Sequence, residues 1–138
     1  MNAVVYASKG GNTRKLAEAV AAAVGACAQP VEEVRPFDAP IDTLFVGGSI
    51  YAGKIDGALR KFLQGLDSGH VTRIAVFGSA AGNKSALDEV RAILTGTGIT
   101  VYDRAFQCRG SFLLANRGRP NQDDLNKAAQ FAREVAGT

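Results

Sequence analysis

A short polar segment near the N-terminus, Ser8-Lys9-Gly10-Gly11-Asn12-Thr13, combines hydroxyl, amide and amino side chains with two adjacent glycines. It follows the apolar run Val4–Ala7 and precedes residues with the apolar spacing of a helix: Leu16, Val20, Ala23 and Val24. A loop between a strand and a helix directs several backbone N–H groups at one point, and the helix dipole adds partial positive charge there. The segment therefore predicts a phosphate-binding site.

Helix capping is the simpler interpretation of Ser8, Asn12 and Thr13, because Asn, Ser and Thr are all good N-caps. A cap needs only one such residue, however. Three polar side chains together with two glycines favour a bound ligand over a cap.

Two later segments have the same organisation. The apolar run Thr43–Gly47 is followed by Gly48–Lys54, and the apolar run Thr72–Phe77 is followed by Gly78–Lys84. Continuous apolar runs of this length are typical of strands buried on both faces of a parallel sheet. Because the carboxyl ends of parallel strands meet at one edge, we expect the three glycine-containing loops to lie together.

Strands and helices alternate along the rest of the chain. A weak strand is predicted over Ala28–Val34 and a last strand over Ile99–Cys108. Helices are predicted after each loop; Ser85 is the expected N-cap of the third, and Asn121 with Asp124 caps the last. The pattern predicts an α/β three-layer sandwich, with a five-stranded parallel sheet of order 2-1-3-4-5 and helices on both faces. Ligands bind such sheets beside strands one and three, where the strand order reverses.

The apolar faces of the helices follow from their spacing. The second helix is expected to bury Ile55, Ala58, Leu59, Phe62, Leu63 and Leu66. The third is expected to bury Leu87, Val90, Ile93 and Leu94 and to end at Gly96 and Gly98, and the last to bury Leu125, Ala128, Ala132 and Val135.

Composition sets the class of protein. The chain has 138 residues, of which 46% are hydrophobic and 21% charged, as expected of one globular domain spanning residues 1–138. A net charge of +3, with the basic residues scattered along the chain, does not by itself indicate nucleic-acid binding. Cys27 and Cys108 form no CxxC pair and are expected to be free thiols. We expect a soluble, cytoplasmic monomer that does not insert into membranes.

Three other phosphate-dependent classes fit less well. A dinucleotide site would need GxGxxG after the first strand, which the chain lacks. The segment Gly78–Ser85 nearly matches a nucleotide triphosphatase loop, but Asn83 stands where the second glycine must be. A phospho-acceptor domain needs clustered carboxylates where this chain has Ser8 and Gly48.

The segment Ser8–Thr13 resembles the flavodoxin phosphate loop, Ser/Thr-x-x-Gly-Asn-Thr, and the chain length and loop order are similar to those of a short-chain flavodoxin. The resemblance implies FMN as the cofactor. It further implies that the hydroxyls of Ser8 and Thr13, the amide of Asn12 and the backbone N–H groups of Gly10 and Gly11 bind the FMN phosphate. Lys9 either adds positive charge there or points to solvent.

The same resemblance assigns the two later loops to the flavin ring. One face would be covered by Ser49, Ile50, Tyr51, Ala52 and Gly53, with Tyr51 stacking on the ring. Gly53 is either a turn residue or a peptide that hydrogen-bonds reduced flavin N5. The pyrimidine edge and the other face would meet the backbone of Gly78, Ser79, Ala80, Ala81, Gly82 and Asn83. The chain has no Trp, and this second ring-facing loop has no aromatic residue, so aliphatic atoms or solvent would cover that face.

The function implied by the resemblance is electron transfer. Bound FMN would shuttle electrons between a flavin reductase and an electron acceptor, with no metal and no catalytic acid or base in the protein. A positive net charge favours an acidic or uncharged partner face. Gly47–Gly53 also resembles the second loop of flavodoxin-domain protoporphyrinogen oxidases, which makes an FMN-dependent oxidoreductase acting on a quinone or tetrapyrrole the alternative. A third class, a flavodoxin-shaped binding module without FMN, is disfavoured by the retained phosphate loop.

Other reactive residues have ordinary explanations. Cys108 is expected to be a packing residue rather than a redox-active thiol. Arg109, Arg117 and Arg119 are expected to form a solvated face, with docking of a partner or binding of a phosphate-bearing substrate as the alternative. His70 is expected to be exposed at the opposite end of the sheet.

Overall fold

The computed structural model describes residues 1–7, 11–35, 37, 39–50, 54–80, 86–109 and 118–137, without the side chains of residues 49, 50, 80 and 109. Within these residues the strands are β1 (Asn2–Tyr6), β2 (Ala28–Pro30), β3 (Ile41–Ile50), β4 (Val71–Ala80) and β5 (Thr100–Arg109). The helices are α1 (Asn12–Val24), α2 (Gly57–Gln64), α3 (Leu87–Leu94) and α4 (Gln122–Ala136), with a short 3-10 turn at Val31–Glu33.

The five strands form one sheet in the order β2-β1-β3-β4-β5. Every neighbouring pair is parallel. Tyr6, for example, lies opposite Pro30 on one side and Gly47 on the other. The sheet order and the alternation of strands with helices confirm the fold class predicted from the sequence.

Successive residues of the central strands point to opposite faces of the sheet, which is why these strands are apolar without interruption. On one face, Val4, Tyr6, Phe45, Phe77 and Cys108 pack with residues of α1 and α4, including Leu16, Val20, Ala128, Phe131 and Ala132. On the other face, Val5, Leu44, Val46 and Ile74 pack with residues of α2 and α3, including Leu59, Leu63, Val90 and Leu94. Both faces of the sheet are therefore covered.

The expected apolar faces of the helices are largely correct. In α2, Leu59 and Leu63 are buried, whereas Ala58 is exposed, contrary to expectation. In α4, Phe131 is buried together with the expected alanines and Val135. Gly96 and Gly98 follow α3 with φ of 85° and 83°, as helix-ending glycines do.

Strands β3 and β4 run three residues farther than the sequence predicted. Gly48, Ser49 and Ile50, expected in a loop, pair in register with Gly78, Ser79 and Ala80. The glycines and serines suggested a turn, but pairing with neighbouring strands keeps these residues extended. The strand predicted over Ala28–Val34 instead ends at Pro30, after which a 3-10 turn begins. Proline has no N–H with which to continue the ladder.

The predicted cap of α4 is confirmed as a reciprocal capping box. The side chain of Asn121 accepts a hydrogen bond from the backbone N–H of Asp124, and the Asp124 carboxylate accepts one from the backbone N–H of Asn121. Ser85 lies outside the described residues, and α3 has Ala86 at its N-cap position. In the described part of the chain, no helix is both long and apolar enough to cross a bilayer.

Candidate functional site

The carboxyl ends of β1 and β3 lie side by side in the middle of the sheet. Ala7 prolongs their pairing, since its backbone N–H donates to the Gly47 carbonyl at 2.9 Å. From β1 the chain crosses through α1 to β2 on one side, whereas β3 leads through α2 to β4 on the other. Open α/β sheets bind ligands in the crevice that forms at such a reversal, outside the carboxyl ends of the strands.

Helix α1 begins at this crevice. Its N-cap residue, Gly11, has φ of 83°, a left-handed conformation that glycine adopts without the strain of a Cβ atom. The Gly11 carbonyl accepts a hydrogen bond from the backbone N–H of Lys15 at 3.2 Å. Asn12 and Thr13 are then the first two helical residues. The predicted phosphate segment therefore ends in a helix N-terminus, as expected.

The N-terminus of α1 differs electrostatically from the other helix starts. Asp56 caps α2, while α3 and α4 have acidic residues in their first turns. Among the described residues, α1 alone has neither an acidic N-cap nor an acidic residue in its first turn. Arg14 follows Thr13, and its hydrogen bond to Glu18 raises the pKa of the guanidinium. No acidic side chain of its own first turn therefore offsets the positive end of the α1 dipole, which attracts anions.

A buried contact joins α1 to the end of β4. Thr13 Oγ1 and Ser79 Oγ are 3.2 Å apart, and the two residues are 0% and 2% exposed. Ser79 lies opposite Ser49 in β3 and opposite Cys108 in β5. The contact therefore brings together one residue from the predicted phosphate segment and one from the segment predicted to contact the ring.

Small residues at the ends of β3 and β4 allow the backbones to approach closely. A Cβ atom placed on Gly78 would lie 2.3 Å from the carbonyl oxygen of Gly48, a distance that real Cβ atoms do not reach. The register then continues from Gly48–Gly78 to Ser49–Ser79 and Ile50–Ala80. At positions 48 and 78 no side chain separates the backbones of β3 and β4.

Ile55, just after the second predicted loop, is hydrogen-bonded to α3. The backbone N–H of Ile55 donates to Glu89 Oε1 at 3.1 Å, and Ile55 is 5% exposed. The other carboxylate oxygen of Glu89 pairs with the guanidinium of Arg60. One carboxylate of α3 thus holds both α2 and the residue at which the second predicted loop ends, a contact that sequence reasoning missed.

The structure brings together those predicted site residues that it describes. Gly11, Asn12, Thr13, Gly78 and Ser79 lie at the same edge of the sheet, as do the backbones of Ser49, Ile50 and Ala80. The remaining predicted residues lie outside the described part of the chain: Ser8, Lys9, Gly10, Tyr51, Ala52, Gly53, Ala81, Gly82 and Asn83.

A second polar cluster lies at the start of α4. Arg119 donates from Nε and Nη2 to the two carboxylate oxygens of Asp124, at 2.5 and 2.7 Å. This hydrogen bonding lowers the pKa of Asp124, which is 4% exposed. Arg119 is therefore a structural partner of the α4 cap rather than part of a solvated face. Sequence reasoning identified Asp124 only as a cap, and nothing in the local spacing revealed its arginine partner.

Cys108 lies beside this cluster on β5. Burial, followed by the negative charge of Asp124, raises the pKa of the Cys108 thiol to about 11. A thiol with this pKa is protonated at neutral pH and is a poor nucleophile, in agreement with a packing role.

The outcomes for the other reactive residues differ. Arg117 and the side chain of Arg109 lie outside the part of the chain that the structure describes. His70 is exposed, as expected, and its ring nitrogen Nδ1 lies 2.9 Å from Asp67 Oδ1.

Solved structures with this fold cover almost the whole chain. A flavodoxin from the domain Archaea is 21% identical, with 99% of this chain and 97% of that chain covered and a TM-score of 0.72. Flavodoxin 2 from Bacillus cereus is 19% identical, with coverage of 99% and 97% and a TM-score of 0.73. A WrbA-like flavodoxin from Agrobacterium tumefaciens is 19% identical, with coverage of 99% and 94% and a TM-score of 0.76.

At these identities the structural matches show the fold alone. No curated protein matches the sequence significantly. The model of the flavodoxin domain family, in contrast, matches residues 3–108, a segment that includes β2 to β4 and all but one residue each of β1 and β5. Since the match spans more than half of the 138 residues, the chain belongs to the flavodoxin domain family.

Proposed function

We propose that this protein binds FMN noncovalently and carries electrons between redox proteins, as a cytoplasmic monomer with a single domain over residues 1–138. Flavodoxins typically bind FMN, and their fold suggests electron transfer. The observation that carries the proposal is the start of α1. Gly11, Asn12 and Thr13 lie at the reversal point of the sheet without an acidic cap, and the Thr13 hydroxyl contacts that of Ser79.

The described residues fit a phosphate. Thr13 supplies a hydroxyl, Asn12 an amide, and the α1 N-terminus a positive potential that no carboxylate of its own first turn cancels. In the proposal these groups act together with Ser8, Lys9, Gly10 and Gly11 on the phosphate of FMN. Their role is to bind and orient the cofactor, so no acid or base among them needs to move a proton.

The ring end of the site is assigned to the two later segments. Ser49–Gly53 covers one face, with Tyr51 as the stacking residue, and the backbone of Gly78–Asn83 lies along the pyrimidine edge. FMN supplies the electron-carrying chemistry when bound, and the protein supplies the shape and the dipoles around it. The close approach of Gly48 and Gly78 supports this assignment, because neither glycine has a side chain that would cover the peptide groups there.

The proposed partners are a flavin reductase and an electron acceptor with an acidic or uncharged docking face. A net charge of +3 supports this choice. On the site side of the molecule, Arg14, Lys15 and Lys54 are exposed. Reduction of the FMN-loaded protein by NAD(P)H only after a reductase is added would support the carrier role.

Titration of the purified protein with FMN and riboflavin tests the cofactor assignment. We expect quenching of FMN fluorescence on binding and a clearly weaker affinity for riboflavin, which lacks the phosphate. Thr13→Val should weaken FMN binding by roughly ten- to a hundredfold, as expected for a lost hydrogen bond to a charged group, with little effect on riboflavin. Absence of quenching in the unsubstituted protein, or equal losses of both flavins in the variant, would contradict the assignment.

A second candidate is an FMN-dependent oxidoreductase that acts directly on a quinone or tetrapyrrole. The resemblance of Gly47–Gly53 to the second loop of flavodoxin-domain protoporphyrinogen oxidases favours it. Anaerobic mixing of the FMN-loaded protein with NAD(P)H and a quinone distinguishes the two. Sustained turnover without any added protein supports the oxidoreductase, and its absence supports the carrier.

A further inference from the structure

A groove with a volume of about 440 Å³ lies between helices α1 and α4. Its apolar lining consists of Leu125 and four alanines: Ala19, Ala22, Ala23 and Ala129. Six of its ten lining residues are exposed, so the groove is open to solvent rather than an enclosed cavity. Because proteins bury most of the surface of a small ligand, an open groove of this kind suits a segment of another protein better.

The groove starts at the end of the sheet where the candidate site lies. Helix α1 follows β1 and helix α4 follows β5, and all the strands are parallel, so both helices begin at the carboxyl edge. At the opposite end, Arg73 near the start of β4 donates to the Val135 carbonyl in the last turn of α4. The lining extends along α4 from Gln122 to Arg133, which corresponds to roughly 17 Å or three helical turns.

The charged side chains of the two helices are paired, with two exceptions. The ion pairs are Arg14–Glu18, Asp123–Lys127, Asp124–Arg119 and Glu134–Arg104. The exceptions, Lys15 and Arg133, are both exposed, and within the described residues neither side chain pairs with a carboxylate. Both line the groove, and its one acidic lining residue, Glu18, is paired with Arg14 at 3.0 Å. The groove therefore has an excess of positive charge.

We propose that this α1–α4 groove docks an acidic amphipathic helix of a redox partner protein. Lys15 is the fourth residue of α1 and Arg133 the twelfth of α4, which separates the two cations by about 12 Å along the helix axes. Two carboxylates that are two turns apart on one helix are separated by about 11 Å and lie on the same face. Small apolar side chains between them would pack on the alanines, as in other complexes of a helix in a groove.

The inference goes beyond the proposed function by naming a docking surface, and it rests on that function only for the redox character of the partner. Lys15 and Gln122 belong to the first turns of α1 and α4. A helix in the groove would therefore lie beside the start of α1, to which we assign the phosphate. Complementary charges raise the rate of association more than the affinity, which suits a carrier that must leave its partner after each transfer.

A designed peptide tests the inference. It is a stapled helix of about 15 residues, because short helices are marginal in water without such a constraint. One face has leucine and alanine between two glutamates that are two turns apart, and the peptide is labelled with rhodamine. We expect the FMN-loaded protein to raise its fluorescence anisotropy at low salt. The same peptide with both glutamates replaced by glutamine should bind about three- to thirtyfold more weakly.

Three variants locate the binding surface. Lys15→Glu and Arg133→Glu should each weaken binding of the glutamate peptide by about three- to tenfold, because an attraction becomes a repulsion. Neither should weaken the glutamine peptide. Ala129→Leu should weaken both peptides, since its larger side chain fills the groove while the net charge stays the same.

Two matched variants serve as controls. Lys61→Glu changes the net charge by the same amount, but its exposed side chain is on α2, which covers the opposite face of the sheet. Ala92→Leu makes the same substitution at an exposed position of α3. Both should bind the glutamate peptide as the unsubstituted protein does. Urea midpoints show that every variant is folded.

Several results would overturn the inference while leaving the proposed function intact. Absence of peptide binding, or equal affinities for the two peptides, would show that the groove does not select an acidic helix. Equal losses in Lys15→Glu and Lys61→Glu would assign the effect to net charge alone. A dimer in sedimentation velocity that Lys15→Glu dissociates would assign the groove to a second copy of the chain. Peptide binding by a protein that binds no flavin would instead contradict the proposed function and retain the groove as a docking site.

Discussion

Ile55 and Glu89 are 34 positions apart in the sequence, yet the backbone N–H of Ile55 donates to Glu89 Oε1 at 3.1 Å. Because Glu89 also pairs with Arg60, a single carboxylate holds the first turn of α3, helix α2 and the chain that leaves residues 51–53. The Glu89 side chain is 22% exposed, so these hydrogen bonds are partly shielded from water. The segment that we assign to one flavin face thus has a fixed end.

Glu89→Ala should release Ile55, and with it the end of the segment assigned to one flavin face, from α3. It removes a charge-assisted hydrogen bond to Ile55 and leaves Arg60 without this carboxylate, so we expect a loss of about 1–3 kcal/mol in the free energy of unfolding. FMN and riboflavin affinities should fall by the same factor, because the ring-side segment contacts the part that both flavins share. Urea unfolding and fluorescence titration measure the two effects.

Asp88→Ala is the control for this variant. The neighbouring Asp88 side chain is fully exposed and pairs with Arg91 at 4.0 Å. An ion pair of that kind contributes little, so the variant should retain both flavin affinities. A fall in FMN affinity alone in Glu89→Ala would show that Glu89 acts at the phosphate end instead.

Gly78→Ala should destabilise the folded protein through a backbone clash. The added Cβ would lie 2.3 Å from the Gly48 carbonyl oxygen, so β3 and β4 must separate locally. We expect a cost of about 1–3 kcal/mol, as for other overpacked sites, measured as a lower urea midpoint. Gly57→Ala is the comparison: nothing lies within 4 Å of its added Cβ at the first position of α2, and its stability should be equal or higher.

These examples show what the sequence could and could not predict. The order of the sheet followed from apolar runs alternating with helical spacing, because the number of ways to connect parallel strands is small. The last residues of β3 and β4 were missed, since Gly48 and Gly78 read as loop residues until strand pairing is known. Local propensity contains no information on whether a neighbouring strand is in reach.

In the candidate site, too, some features could be predicted from the sequence and others could not. Gly11, Asn12 and Thr13 were recognisable because a strand, a short loop and a helix are contiguous in sequence. The contacts Thr13–Ser79 and Ile55–Glu89 could not be recognised from the sequence, because each joins elements that only folding brings together. Side-chain contacts across such separations leave no periodicity in a single sequence.

Asp124 should make the protein sensitive to acid. Its hydrogen bonds from Arg119 lower its pKa in the folded state relative to the unfolded value of about 3.9. The resulting stabilisation is complete above that unfolded value and is lost as the pH falls through the lower folded value. Asp124→Asn should therefore lower stability at pH 7 by about 1–3 kcal/mol and flatten its decline below about pH 4.

Urea midpoints between pH 7 and pH 2.5 measure this dependence. Asp123→Asn is the control, because its carboxylate is 68% exposed and pairs with Lys127 on the same helix. Its curve should follow that of the unsubstituted protein closely. A curve for Asp124→Asn that is merely shifted, with an unchanged slope in acid, would mean that other carboxyls dominate the acid dependence.

The two cysteines should react with thiol reagents at very different rates. Cys27 is exposed, whereas Cys108 is buried and its thiol has a pKa of about 11. Because the thiolate is the reactive form, a disulfide reagent at pH 7.5 should modify one thiol per folded chain rapidly and the second only as the protein unfolds. Cys27→Ser should remove the fast phase, and Cys108→Ser should leave it unchanged. Rapid modification of Cys108 in the folded Cys27→Ser variant would instead identify it as an accessible thiol beside the cofactor site.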